Sequence, residues 1–199
     1  MASTRLISVV VALVFGLPVI AFAQQAPGNV TPAAQLAAAR AKLDAFKSHR
    51  ERREYDTPES FVVNIIEFSG GLQHWIYLDA QGSIVKEVIW EKGRSAWRRP
   101  SDTTWLCNPP IPDEATEPPT VVHDGGTLTV NGRSAHRFVE EFTNQLAGSH
   151  LVHEVDVDAA TGVPIRLIST ETDGGYEKKY VGTYYDLGAP IALELPPCR

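Results

Sequence analysis

The 199-residue chain has no GxSxG, no Walker loop, no HExxH and no glycine-rich dinucleotide turn. Serine-hydrolase, nucleotide and metalloprotease chemistries therefore find none of their usual anchors. Only two cysteines are present, Cys107 and Cys198, and they are far apart. Without a CxxC spacing, structural zinc and thiol-redox roles lack support. Basic residues are outnumbered: 18 Lys and Arg stand against 24 Asp and Glu, a net charge of −6. An acidic domain exerts no general pull on phosphate backbones, which argues against a nucleic-acid partner. No repeat of fixed period is visible, and 43% hydrophobic with 21% charged residues is the composition of an ordinary globular chain.

The one long apolar run lies at the N-terminus. Arg5 supplies a positive start, residues 7–20 are apolar apart from Ser8, Gly16 and Pro18, and Ala21-Phe22-Ala23 offers small residues where a signal peptidase reads. The run of about 17 residues is at the lower limit for crossing a bilayer, and Pro18 breaks its end. Residues 1–23 are thus expected to be a cleaved signal peptide, 24–30 a linker and 31–199 a single exported domain, periplasmic or extracellular, with no transmembrane segment in the mature chain. Loss of Arg5 makes the mature balance 17 against 24, or −7. The new N-terminus would be Gln24, which cannot be acylated as a lipoprotein cysteine is. In an oxidising compartment Cys107 and Cys198 are expected to pair. In the chain-entropy view, closing that loop of 91 residues stabilises the fold by about 4–5 kcal/mol.

Thr31-Pro32 looks like an N-cap followed by proline at the first helical position. Leu36, Ala39, Leu43 and Phe46 then mark one face of a helix over residues 33–46. The charged run 49–55 either continues that helix or forms a polar first strand, with Arg50, Arg52 and Glu54 on one side. Beyond Asp56 the chain is a succession of strand candidates: 61–68, 72–78, 84–90, 95–97, 103–106, 120–122, 127–130, 133–142, 150–158, 163–170, 176–185 and 191–195. Gly, Pro and Asp turn signals punctuate them every 8–12 residues, the pattern of an antiparallel meander. Residues 108–119 hold five prolines and three acids, an exposed loop by composition. The fold class expected is α+β, mostly β: one N-terminal helix and about ten or eleven strands in antiparallel sheet.

With that order of elements, four stretches carry a family resemblance: the helix 36–48 ending in Ser48, the Gly93–Trp105 hairpin with its second tryptophan, the strand-turn-strand 155–166 built on Asp158-Ala159-Ala160-Thr161-Gly162-Val163-Pro164, and the closing pair 184–196. Together they resemble the LolA-like superfamily of lipoprotein carriers, which includes the mycobacterial LppX- and LprG-like lipoproteins. The resemblance implies a strongly curved, unclosed half-barrel around a hydrophobic cavity. It also implies a lipid or acyl-chain ligand, in a carrier or chaperone role and not an enzyme. The mycobacterial members are acylated at a cysteine absent here, and the family commonly lacks the Cys107–Cys198 bridge.

Few residues invite chemistry of their own. His150 and His153 lie three apart, on opposite faces of a strand, and His123 adjoins a Gly125-Gly126 turn, so no metal or other cofactor is expected. His153 falls on the apolar parity of its strand, as a hydrogen-bonded interior histidine would. Glu154, Asp156 and Asp158 alternate at about 6–7 Å, compatible with a carboxylate pair, but a solvated sheet face explains them and no catalytic residue is assigned. Arg94, Arg98 and Arg99 crowd Trp97 and Trp105, either as a basic lip for an anionic headgroup or partner or as stems packed over indoles. Trp75, Trp90, Trp97 and Trp105 fall within about 30 residues and could line one concave apolar surface. These four and His153 are the candidate cavity or rim residues. The competing reading is a module that binds another envelope protein, its core filled by its own side chains.

Overall fold

The computed structural model describes residues 30–56, 62–108, 121–144 and 149–197. The expected signal peptide, nearly all of the linker, the proline-rich segment 109–120 and Cys198 lie outside them. Thr31 caps helix α1 (Pro32–Asp44), its Oγ1 accepting from Ala34 N at 3.3 Å, and Pro32 opens the first turn. Leu36, Ala39 and Leu43 form the buried stripe.

Eleven strands follow: β1 (Ser48–Tyr55), β2 (Val63–Ser69), β3 (Leu72–Leu78), β4 (Ile84–Glu91), β5 (Arg94–Arg98), β6 (Leu106–Asn108), β7 (Val121–Val130), β8 (Arg133–Asn144), β9 (Ser149–Asp158), β10 (Pro164–Asp173) and β11 (Tyr176–Tyr185). They make one curved, unclosed antiparallel sheet in the order β6-β5-β4-β3-β2-β1-β11-β10-β9-β8-β7. Chain neighbours pair throughout except β6 and β7, which are the two edges, and β1 and β11 meet in the middle. The sheet is therefore two meanders joined along β1–β11.

Pairing fixes two faces across all eleven strands. The inner face carries α1: Leu36 and Ala39 pack on Phe138, Val155, Val157 and Leu167, with Val122, Tyr180 and Tyr184 at the margin. These core partners of the helix all lie on β7–β11. On the other meander the inner face holds Ile66, fully buried, and Val88, at 3% exposure.

Of the two readings of the charged run 49–55 the strand holds: alternation puts Glu51 and Arg53 inward while Arg50, Arg52 and Glu54 face outward. Three expectations need correction. Gly125-Gly126 is no turn. β7 runs through it with a bulge, Asp124 Oδ1 accepting from Gly126 N at 2.7 Å and Gly126 adopting φ +80°. Residues 103–105 lie outside the sheet, and the short strand there begins only at Leu106. Residues 191–195 form no strand either. Both sides of β1 are already taken by β2 and β11, so the C-terminal segment finds no edge to join there. It is held by side chains instead, Ser69 Oγ donating to Ile191 O at 2.7 Å and Ser48 Oγ donating to Ala189 O.

Candidate functional site

On the β1–β6 half, the register aligns residues in rows across the inner face. One row reads Glu51, Ile66, Trp75, Val88, Trp97 and Leu106; the next reads Arg53, Asn64, Tyr77 and Lys86; a third reads Phe68, Gln73, Trp90 and Ser95. Trp75, Trp90 and Trp97 therefore share one face, each half-buried. Trp75 Nε1 donates to Gln73 Oε1 at 3.0 Å. Trp105 is placed elsewhere: the guanidinium of Arg98, an outer-face residue, lies 4.6 Å from its ring. His153 is on the inner face of the other meander, opposite Ser169 and Glu140, its ring 5.1 Å from that of Phe142. The fold does not bring it to the tryptophans.

Cations and rings alternate along this surface. Arg99 stands over Trp97, Lys86 over both Trp97 at 5.8 Å and Tyr77 at 5.6 Å, and Arg53 over Trp75 at 5.1 Å and Tyr180 at 5.0 Å. Trp75 stacks on Tyr77 at 6.3 Å and Tyr55 meets Tyr180 at 5.3 Å with the rings tilted by 43°, completing a band from β5 to β11. Its charged centre is the Glu51–Arg53 pair, joined by two hydrogen bonds of 2.8 and 2.9 Å, with Glu51 at 1% exposure. Burial alone would lower the Arg53 pKa, but hydrogen bonding and charge from Glu51 prevail and hold it above the usual arginine range. Burial raises the phenols of Tyr180 and Tyr184, with the Glu51 charge adding to it. Asn64, at 1% exposure, donates to Tyr55 Oη at 3.2 Å, while its Oδ1 has no hydrogen-bond partner among the described residues.

A second polar cluster ties helix to sheet. Arg40 binds Glu140 through both guanidinium nitrogens, at 2.7 and 2.5 Å, and His153 Nδ1 stands 3.8 Å from the same carboxylate.

The acids 154, 156 and 158 are not the solvated face expected of them. Asp156 is fully buried on the outer side, gripped by Arg137 Nε at 2.8 Å and Nη2 at 3.1 Å and by Arg166 Nε at 2.6 Å; Glu154 binds Arg137 as well. Hydrogen bonds to Asp156 raise the Arg137 pKa. Asp158 Oδ1 accepts from Thr161 N and Oγ1, each at 2.8 Å, which lowers its pKa and closes the β9–β10 turn. Every carboxylate of this row is thus committed to a structural partner. The arginines of the expected lip are likewise engaged: Arg94 with Glu91, Arg98 with Glu87 and Arg99 with Asp102. Among the described residues no three metal-ligating side chains converge, and no helix is long and apolar enough to cross a membrane.

A cavity of about 450 Å³ lies between α1 and β8–β9, lined largely by Ala34, Ala38, Ala39, Phe138 and Val157, with Lys42 at its margin. The alanines leave the volume that larger side chains would fill. A second cavity, of about 340 Å³, lies near Ile165 and Tyr184. Neither is lined by the tryptophans or by His153.

Sequence reading missed Glu51, Arg53, Asn64 and Lys86. The signal was present in β1, because Glu51 and Arg53 have the parity opposite to Arg50, Arg52 and Glu54. Only cross-strand register, however, places them beside Trp75.

No protein-family model matches the chain, and no curated protein does. Among solved structures, the chain is similar to the lipoprotein LppX of Mycobacterium tuberculosis, with TM-score 0.61 and 9% identity over 84% of this chain and 100% of that one. It is also similar to LprF of Mycobacterium bovis, with TM-score 0.54 and 12% identity over 85% of this chain and 99% of that one. The protein shares the fold of LppX and LprF, a curved, unclosed antiparallel sheet with an N-terminal helix across it.

Proposed function

We propose that this protein is exported and binds a hydrophobic ligand, a lipid or acyl chain, on the inner face of its half-barrel as a carrier or chaperone. The observation that carries the reading is the wall of Trp75, Trp90, Trp97 and Tyr77 around Ile66 and Val88, on the half of the inner face opposite the core partners of α1. Aromatic surface of this kind gains from an apolar ligand that removes it from water. A separate cavity of about 450 Å³ between α1 and β8–β9 lies within the range of about 300–1,000 Å³ usual for small-molecule sites and is the alternative place for the chain.

Trp105 and His153 are proposed at most as rim residues, given where they lie. The leader 1–23 and a Cys107–Cys198 staple belong to the same proposal, and reduction with alkylation would count the thiols. Native mass spectrometry of protein purified from envelope extracts tests the ligand: an acyl-bearing adduct lost in Trp75→Ala/Trp97→Ala is the expected result. Protein that is empty and takes up no fatty-acid probe would sink the reading. The second reading, an envelope protein-binding module with a filled core, draws on the complete closure of Ile66.

A further inference from the structure

The inner face of β1–β6 carries three charged side chains: Glu51, Arg53 and Lys86. Glu51 and Arg53 neutralise each other through their paired hydrogen bonds. That leaves Lys86, whose ammonium stands over Tyr77 and Trp97 and has no carboxylate within 4 Å among the described residues, whereas Arg94, Arg98 and Arg99 nearby each hold an acid. The whole chain is acidic at −6, so a local positive charge on an aromatic wall is set against the overall field.

Resting on the reading of that wall as the ligand site, we propose that Lys86 binds the anionic end of a single-chain amphiphile whose tail lies along Trp97 and Trp75. The geometry favours this. Two rings shield the ammonium from part of its water, which strengthens a charge-assisted hydrogen bond to a carboxylate or phosphate. Trp97 adjoins it on the next row of the same face, so head and tail can be engaged together. Lys86 itself is exposed at the margin of the wall, where a headgroup can keep part of its hydration.

The test uses lipid-free purified protein with three probes of equal chain length: hexadecanoate, hexadecyl phosphate and uncharged hexadecanol. Wild type should bind the better of the two anions about tenfold more tightly than the alcohol, the usual worth of one charge-assisted hydrogen bond. Lys86→Gln should bring both anions to the level of the alcohol without changing alcohol binding, and Lys86→Arg should keep the preference. Whichever anion is favoured identifies a carboxylate or a phosphate as the headgroup. Equal binding of all three by wild type, or an equal loss of all three in Lys86→Gln, overturns the headgroup role and leaves the apolar site standing. No binding of any probe by wild type overturns both.

Discussion

Gly182 makes room for the Glu51 carboxylate: a Cβ on Gly182 would lie 2.5 Å from Glu51 Oε1. Gly182 faces Arg53 across the β1–β11 pair, so the absent side chain sits where the two meanders join. Gly182→Ala should displace the buried carboxylate from Arg53 and cost about 2 kcal/mol, within the range for overpacking. Glu51→Ala should cost more, about 3–5 kcal/mol, because it leaves Arg53 buried without its counter-charge. The double variant should be no less stable than Glu51→Ala alone, since the clash has gone. Urea denaturation of the set checks this, and strict additivity would show that the two residues do not compete for the same space.

Asp156 serves the other meander in a similar way. Fully buried and held by Arg137 and Arg166, it should cost about 3–5 kcal/mol when replaced by alanine, the loss usual when one partner of a buried ion pair is removed. Gly125 belongs to the same arrangement, because a Cβ there would lie 2.7 Å from Arg137 Cγ. Gly125→Ala should therefore also destabilise, by about 1–2 kcal/mol, and its effect should shrink in an Arg137→Ala background. Thermal unfolding of the four variants would reveal an unchanged Gly125 effect if the contact is unimportant.

The strands that could be read from sequence were those with clean alternation between turn signals, such as β9 and β10 around Asp158 to Val163. Their hairpin is local, and its turn is closed by bonds linking Asp158 to Thr161, Gly162 and Val163, all within five residues. The β1 strand was ambiguous because its pairing partners, β2 and β11, include one more than 120 residues away. A run of charges has no apolar parity to display when the inward pair is Glu51 and Arg53. The same limit applied to residues 191–195, which alternate as a strand does but reach the sheet where no edge is free. At the candidate site, sequence clustering was enough to group Trp75, Trp90 and Trp97. Trp105 was misplaced with them because it lies beyond the end of β5, where parity is no longer carried by the strand.

Two titrating groups predict how stability falls in acid. Burial pushes His49 below 6.5, with Glu51 and Asp44 opposing, and its ring stacks 4.2 Å from Phe68. As pH drops below about 6.5 the unfolded chain takes up that proton first, so stability declines from there toward the lower folded value. For Glu140, burial would raise the pKa, but the neighbouring His153 and the hydrogen bonds from Arg40 prevail and hold it below 4.5. Its contribution is complete above 4.5 and is lost as pH falls through the folded value. His49→Phe should remove the upper decline, and Glu140→Gln should lessen the lower one, to which the lowered carboxyls of Asp158 and Asp102 also contribute. Denaturant midpoints measured across about pH 7 to 3 separate the two windows; an upper slope unchanged in His49→Phe would show that another group titrates there.

The placement of the four tryptophans yields the sharpest optical test of where a ligand lies. Trp75, Trp90 and Trp97 face inward, whereas Trp105 packs against Arg98, whose side chain projects from the opposite face. Bromine quenches indole fluorescence only at close range, so a brominated hexadecanoate bound on the inner wall should darken the three inward indoles and spare Trp105. Variants that keep a single tryptophan, with phenylalanine at the other three positions, isolate each signal. The Trp97-only protein should lose most of its emission at saturation, and the Trp105-only protein almost none. Quenching confined to Trp105 would place the chain on the outer face. No quenching despite measured binding would move it to the cavity under α1, which none of the four tryptophans lines. Ala38→Phe, which should fill part of that cavity, distinguishes the last case: it should abolish binding there and leave a ligand on the tryptophan wall in place.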